Sequence, residues 1–169
     1  GKHTDAYKTF KKLLIVDSKS PIYVHLTAVA AFNSRKYRES IRLWEKLGQL
    51  DKENMLSDYY IEAAKKQLDA EDGRTYFPYL YQLPKEEIKN RLDFIYKFIE
   101  MPGPKCREQL AGNEHMLGML YFGINFDKYF LRKLIFNKIK NDRMIEAESF
   151  IRRFMLRDDV ENYIKMEAV

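Results

Sequence analysis

The sequence has few of the residues that interrupt helices or cross-link a chain. Its 169 residues include 7 glycines, 5 prolines and one cysteine, Cys106. One cysteine cannot form an internal disulfide, so we expect a reducing compartment and a cytoplasmic location. Scarce glycine and proline, with abundant lysine, glutamate and leucine, favour helices. These counts predict an all-α protein.

Long apolar runs and a strong charge imbalance are also missing. No run approaches the ~20 apolar residues of a membrane-spanning helix, so we expect no membrane partner. The net charge of +5 is a mild excess that falls well short of a nucleic-acid-binding tail. Aromatic residues are plentiful instead, with 12 tyrosines and 11 phenylalanines to build a core. The chain begins with Gly1, and we expect it to belong to a larger protein.

The first fifty residues repeat with a period of 34. A shift of 34 places Ala6 on Ser40, Phe10 on Trp44 and Leu13 on Leu47. A small residue, an aromatic residue four later and a leucine three further on occupy one face of a helix. We therefore expect these six side chains to be buried between helices.

A second helix lies between the two repeated segments. Ser20-Pro21 is typical of an N-cap followed by a first helical position. Residues 33–36 are polar and predict a tight turn, after which a helix begins at Tyr37. The pattern predicts two antiparallel helices within each 34 residues.

These features resemble the tetratricopeptide repeat family over residues 3–69. Residues 21–54 match one repeat, 3–20 the second helix of a preceding repeat, and 55–69 the first helix of a following one. The resemblance implies that a peptide or partner protein binds in a concave groove lined by the first helices. By position the groove residues would be Ile22, His25, Val29, Phe32, Asn33, Leu56, Tyr59, Ala63 and Lys66. His25 and Val29 stand where the family's carboxylate-binding subclass has lysine and asparagine, so we expect apolar and aromatic contacts with the ligand.

The second half resembles HEAT-type helical repeats. Two apolar stripes carry the resemblance: Ala147, Ile151 and Phe154, and Leu131, Leu134, Ile135 and Ile139. Residues 126–139 and 142–156 are predicted to form an antiparallel pair joined by a turn at 140–141, with a final helix after residue 159. We expect residues 1–70 to form tetratricopeptide-like repeats and 85–169 a HEAT-like segment packed on them. The whole would be one right-handed α-solenoid.

An aromatic connector, residues 71–84, joins these segments. Its core, 76–81, has five aromatic or apolar residues in six. We interpret it as a strand of chain that packs across helix ends and joins two halves of one core. The alternative is an exposed aromatic surface that binds peptides.

No pattern in the sequence indicates an enzyme, a metal site or a cofactor. No phosphate-binding loop is present, and His3, His25 and His115 are far apart and lack metal-ligand spacing. We interpret His25 as a satisfied or solvated histidine. Cys106 lies between two basic residues that could lower its pKa, but without a recognisable base it is interpreted as inert.

A basic cluster near the C-terminus supports an alternative function. Its candidate residues are Arg132, Lys133, Arg152, Arg153 and Arg157. On one face of a solenoid they could bind a phosphate backbone, whereas scattered around their helices they would form a solvated exterior. The favoured function is a non-enzymatic protein–protein interaction module, and the alternative is nucleic-acid binding through these helices.

Overall fold

A computed structural model describes residues 1–51, 55–70, 75–126, 129–157 and 165. These residues form nine α-helices and one 3-10 turn and contain no strand, so the predicted all-α class is confirmed. The chain divides into two compact units, residues 1–84 and 85–169. The aromatic connector therefore belongs with the first unit. Of the predicted helix after residue 159, the structure describes only residue 165, which is helical.

Four helices packed in chain order form the first unit. They are α1 (Lys2–Val16), α2 (Pro21–Asn33), α3 (Tyr37–Leu50) and α4 (Leu56–Asp69). Each packs against the next: α1 on α2, α2 on α3, and α3 on α4. Short connections make consecutive helices antiparallel. This order is consistent with a solenoid, in which each element contacts its neighbours.

The caps predicted around α2 are confirmed. Ser20 Oγ accepts a hydrogen bond from the Tyr23 backbone N–H at 3.4 Å, and Pro21 is the first helical residue. The helix ends at Asn33, and Arg35 adopts a left-handed φ of 63°. The Lys36 N–H then donates to the Ala31 carbonyl at 2.9 Å, which closes the turn before α3.

The predicted burial of the repeated positions is correct for α3 and wrong for part of α1. Ser40, Trp44 and Leu47 are at most 1% exposed, whereas Leu13 is 37% exposed. Ala6 and Phe10 are half-buried and pack against a core that includes Tyr7. The difference arises because α3 is packed on two sides, by α2 and α4, and α1 packs mainly on α2.

The second unit contains α5 (Lys85–Glu100), α6 (Gly103–Leu110), α7 (Glu114–Asn125), α8 (Tyr129–Asn141), a 3-10 turn (Ile145–Ala147) and α9 (Glu148–Met155). Helix α7 is central, since it packs against α5, α6 and α8. A Cβ atom at Gly123 would lie 2.6 Å from Ile135 Cδ1 and 2.9 Å from Ile95 Cδ1. Glycine therefore allows three helices to approach closely at this point.

The predicted bounds of the last two helices, and of the turn between them, need correction. Helix α8 continues through Asn141, and the turn follows at Asp142–Arg143, where Arg143 has a φ of 50°. Helix α8 packs mainly against α7 and α5. Most of the two predicted apolar stripes is nevertheless buried, and Phe136 contacts Phe154 with ring centroids 5.7 Å apart. Two stripe residues, Leu134 and Ile151, are half-buried.

Candidate functional site

Residues 75–84, called the strap from here on, lie across α2 and α4 within the first unit. Buried and exposed side chains alternate along the strap. Phe77 and Leu83 are buried and Tyr79 and Tyr81 half-buried, while the residues between them at 76, 78, 80 and 82 are exposed. This alternation is the pattern of an extended chain with one face against a surface.

Asn33 holds the main chain of Phe77 from both sides. The Asn33 carboxamide Nδ2 donates to the Phe77 carbonyl at 2.9 Å, and Oδ1 accepts from the Phe77 N–H at 2.9 Å. Both bonds are buried. A carboxamide offers a donor and an acceptor side by side, so it satisfies a peptide unit in place of a neighbouring strand.

The Phe77 ring fills a pocket of aromatic side chains from three helices. Ring centroids lie 4.4 Å away for Phe32, 4.8 Å for Tyr60, 6.1 Å for Trp44 and 6.4 Å for Tyr59. The Tyr60 and Trp44 contacts are edge-to-face. Such arrangements contribute beyond simple area burial, so the pocket selects an aromatic side chain.

His25 lies further along α2 and uses both ring nitrogens. Nε2 lies 2.9 Å from the Leu80 carbonyl, and Nδ1 accepts from the Trp44 indole N–H at 3.3 Å. The two partners require the neutral tautomer with its proton on Nε2. Burial lowers the pKa of His25 to about 4, although the bond to the Leu80 carbonyl opposes the shift. The interpretation of His25 as a satisfied histidine is confirmed.

Three further hydrogen bonds hold the strap at its C-terminal and central parts. The Tyr60 hydroxyl donates to the Gln82 carbonyl at 2.8 Å. The Tyr81 hydroxyl donates to Asp51 Oδ2 at 2.7 Å, and the Tyr81 ring meets the His25 ring edge-on. Near the N-terminal helix, the Tyr79 hydroxyl lies 2.9 Å from His3 Nδ1.

The strap runs antiparallel to α2 and bends at Tyr79, Tyr81 and Gln82. Phe77 bonds to Asn33 at the end of the helix, and Leu80 bonds to His25 eight residues earlier.

Five of the nine predicted groove residues are buried, among them Leu56 at 2% exposed. His25, Val29, Phe32 and Asn33 are at most 6% exposed, and three of them contact the strap directly. Tyr59 is half-buried beside Phe77. Ala63 is also half-buried, and the other two, Ile22 and Lys66, are exposed.

Sequence reasoning missed Tyr60 as a site residue and the strap as the occupant. The family resemblance places Tyr59 at the groove position of α4, and Tyr60, the next residue, was not predicted. The inward residues Phe77, Tyr79, Tyr81 and Leu83 have an alternating spacing that could have revealed the strap. The apolar residues Tyr76 and Leu80 between them concealed that period.

Two of the predicted basic residues bind the end of α7. Arg132 Nε donates to the Ile124 carbonyl at 2.8 Å. The Arg157 guanidinium donates to the Tyr121 hydroxyl at 3.2 Å and to the Asn125 side-chain carbonyl. Positive charge at a helix C-terminus is favourable, so both arginines have a structural role within the second unit.

The remaining three basic residues are exposed. Arg152 forms an ion pair with Glu148 at 2.5 Å, one helical turn away. Lys133 Nζ lies 5.9 Å from the centroid of the Tyr129 ring. Arg153 lies beside Arg152 on α9 and is exposed like it. The five residues are thus divided between internal bonds and separate exposed positions.

Cys106 is fully buried within the second unit. Its thiol donates to the Phe98 and Met101 carbonyls, each at 3.4 Å. Burial raises the pKa of Cys106 and outweighs the nearby Lys138 and Arg107, so the neutral thiol is favoured. Within the described ranges, no cluster of three or more histidine, cysteine or acidic residues could hold a metal ion.

In comparisons with known proteins, no family model, no curated protein and no solved structure matches this chain. None of the helices in the described residues is both long and apolar enough to cross a membrane.

Proposed function

We propose that the chain is a non-enzymatic protein-interaction module and that its first unit binds an extended peptide on the surface formed by α2, α3 and α4. The observation that carries this proposal is the pair of hydrogen bonds between Asn33 and the main chain of Phe77. Those bonds recognise an extended backbone whatever its side chains, while the aromatic pocket supplies specificity. Main-chain bonds combined with side-chain pockets are a recurring way to bind peptides.

The finer architecture that we propose is tetratricopeptide-like in the first unit and HEAT-like in the second, within a right-handed solenoid. The 34-residue period and the packing of each helix on the next support the first part. In that architecture the first helices of successive pairs, here α2 and α4, line the concave surface. Both contribute side chains to the strap site: Asn33 and His25 from α2, and Tyr60 from α4.

Nucleic-acid binding through the basic helices has less support. Arg132 and Arg157 are engaged with α7, and Arg152 is paired with Glu148. A guanidinium that already donates within the protein has fewer N–H donors left for a phosphate and a restricted orientation. The peptide-binding function is therefore favoured.

The test of the proposed function is selection of peptides by the folded chain. Random twelve-residue peptides displayed on phage would be selected on the wild-type chain, and the dissociation constants of synthetic copies measured. We expect selected peptides to bind at least tenfold more weakly to Asn33→Ala, and equally well to Lys66→Ala. Failure to select any binder, or equal binding by Asn33→Ala, would contradict the proposed site.

A further inference from the structure

We propose that the strap is an intramolecular ligand and that the peptide it competes with carries an aromatic residue followed by a tyrosine four positions later. This inference rests on the proposed function and deepens it, because it names the chemistry of the partner. The strap shows which features of an extended peptide this surface recognises.

The first anchor is an aromatic residue held by both its ring and its main chain. Phe77 is 7% exposed, its ring lies against Phe32 and Tyr60, and its peptide groups are bonded by Asn33. An aliphatic side chain would fill less of this aromatic pocket and would lose the edge-to-face contacts.

The second anchor is a tyrosine four residues further along. The Tyr81 ring packs edge-on against His25 at 5.4 Å, and its hydroxyl donates to Asp51 at 2.7 Å. A phenylalanine at this position would have no hydroxyl to donate to Asp51, so tyrosine is preferred. Between the anchors, the Leu80 carbonyl faces His25. After the second anchor, the Gln82 carbonyl accepts from the Tyr60 hydroxyl.

Between the anchors, positions 78 and 80 carry little side-chain information, whereas Tyr79 is half-buried and its ring lies 5.7 Å from that of Phe10. The side chains at 76, 78, 80 and 82 are exposed, and Leu80 and Gln82 are bonded through their main-chain carbonyls. A foreign peptide could therefore differ from the strap at these positions and keep every bond named above. The recognised pattern is an aromatic residue at the first anchor and a tyrosine four positions later, with variable residues at 78 and 80 and a further aromatic contact at 79.

Covalent connection gives the strap an advantage over a free peptide. A tethered segment competes at an effective concentration on the order of millimolar. A free peptide of equal intrinsic affinity therefore binds the wild-type chain poorly. Weakening the strap should expose the site to a peptide in solution.

The experiment uses a fluorescein-labelled peptide with the sequence of residues 75–84 and the full chain. The protein variants are Phe77→Ala, Tyr81→Ala and, as a matched control, Leu80→Ala, whose side chain is 48% exposed. Fluorescence anisotropy measures peptide binding, and circular dichroism reports helicity. The unlabelled peptide and its Phe77→Ala and Tyr81→Phe forms serve as competitors.

We expect Phe77→Ala and Tyr81→Ala to bind the peptide at least tenfold more tightly than wild type and Leu80→Ala. Adding Asn33→Ala to either variant should remove this binding, and both altered peptides should compete less well. If Phe77→Ala does not fold, the milder Tyr81→Ala change decides the question. Folded variants that bind no better than wild type would overturn the inference and make the strap a fixed part of the fold.

Failure of this inference differs from failure of the proposed function. If selected foreign peptides bind through Asn33 but the strap peptide does not bind the variants, only the inference is wrong. If the strap peptide binds the variants but no foreign peptide is ever selected, the surface recognises only its own chain. That result contradicts both the proposed partner and the competition inferred here.

Discussion

Among single residues, His25 couples the strap to the helices through a neutral ring. The Leu80 carbonyl and the Trp44 indole occupy its two nitrogens. Protonation of Nδ1 would replace an acceptor with a donor that faces the indole N–H. The hydrogen-bond geometry and the lowered pKa of His25 therefore both favour the neutral ring.

This arrangement predicts a loss of stability in acid. His25 has a pKa of about 4 when folded and 6.5 ordinarily, so the unfolded chain takes up the proton first as pH falls. The contribution is complete above pH 6.5 and falls by about 2.5 kcal/mol between pH 7.5 and 4.5. Urea unfolding of wild type and His25→Gln at both pH values measures it, with Trp44 fluorescence as the probe.

Between pH 7.5 and 4.5, the His25→Gln variant should lose about 2.5 kcal/mol less stability than wild type. Carboxylates titrate in both proteins and cancel in the comparison. Equal losses in the two proteins would show that His25 accepts a proton without disturbing the fold.

Asn33 is predicted to stabilise the first unit through the strap. Replacing it with alanine leaves the buried Phe77 N–H and carbonyl without their partner, at about 1–3 kcal/mol for each group. We expect a loss of about 2–4 kcal/mol in the free energy of unfolding. Lys66→Ala, at an exposed position, should change it by less than about 0.5 kcal/mol. Because Trp44 is the only tryptophan and lies in this unit, its fluorescence reports the relevant transition.

A loss below about 1 kcal/mol for Asn33→Ala would mean that water replaces Asn33 at the Phe77 main chain. The strap would then be held by its rings and by its bonds to His25, Tyr60 and Asp51.

Among elements, the 34-residue repeat correctly aligned α1 with α3 but did not reveal their different surroundings. The repeat depends on side-chain pattern, which is the same in both helices. Burial depends on neighbours, and α3 has one on each side while α1 packs mainly on α2. This is why Leu47 is buried and Leu13 is not, although the two residues are equivalent in the repeat.

This difference can be measured with two matched substitutions. Leu47→Ala should cost about 2–5 kcal/mol, because it opens a cavity between packed helices. Leu13→Ala should cost less than about 1 kcal/mol, because its side chain is already partly solvated. Urea unfolding followed by Trp44 fluorescence measures both losses of unfolding free energy. Equal losses would mean that Leu13 is as fully buried as Leu47.

Helix boundaries could be predicted where a local cap determines them. Ser20 accepts a backbone N–H at the start of α2, as the sequence indicated, and Asn113 does the same at the start of α7. The turn after α8 could not be predicted, because Arg143 adopts a left-handed φ that nothing in the local sequence requires. Tertiary packing, with Met144 buried beyond the turn, determines its place.

Only some of the residues that contact the strap could be predicted, because the sequence pattern reports local helix position and not long-range packing. The family resemblance named His25, Phe32 and Asn33 among the groove residues, and these three contact the strap. What covers the groove depends on contacts between residues 44 positions apart in sequence, such as Asn33 and Phe77. Local pattern carries no information about such pairing.

At the scale of the whole molecule, the two candidate functions respond differently to salt. Binding to phosphates weakens steeply as salt rises, by a slope of about 0.9 per contact on duplex DNA. Apolar and hydrogen-bonded peptide binding is little screened. We expect a selected peptide to bind with nearly constant affinity between 50 and 300 mM NaCl (about threefold change or less).

Charge reversal of Lys133 and Arg153 to glutamate should leave the same affinity unchanged, as isothermal titration would show. Both residues are exposed, so the change tests charge without disturbing packing. If affinity fell steeply with salt and was lost on charge reversal, the basic helices would be the binding surface.

Hydrogen exchange at the Phe77 amide of the wild-type chain tests the central claim most directly. In the free protein this N–H is buried and bonded to Asn33 Oδ1, so it should exchange slowly. With a selected peptide at saturation, the strap should leave Asn33 and the Phe77 amide should exchange at least tenfold faster. An unchanged rate while the peptide is demonstrably bound would place the partner elsewhere and contradict the account.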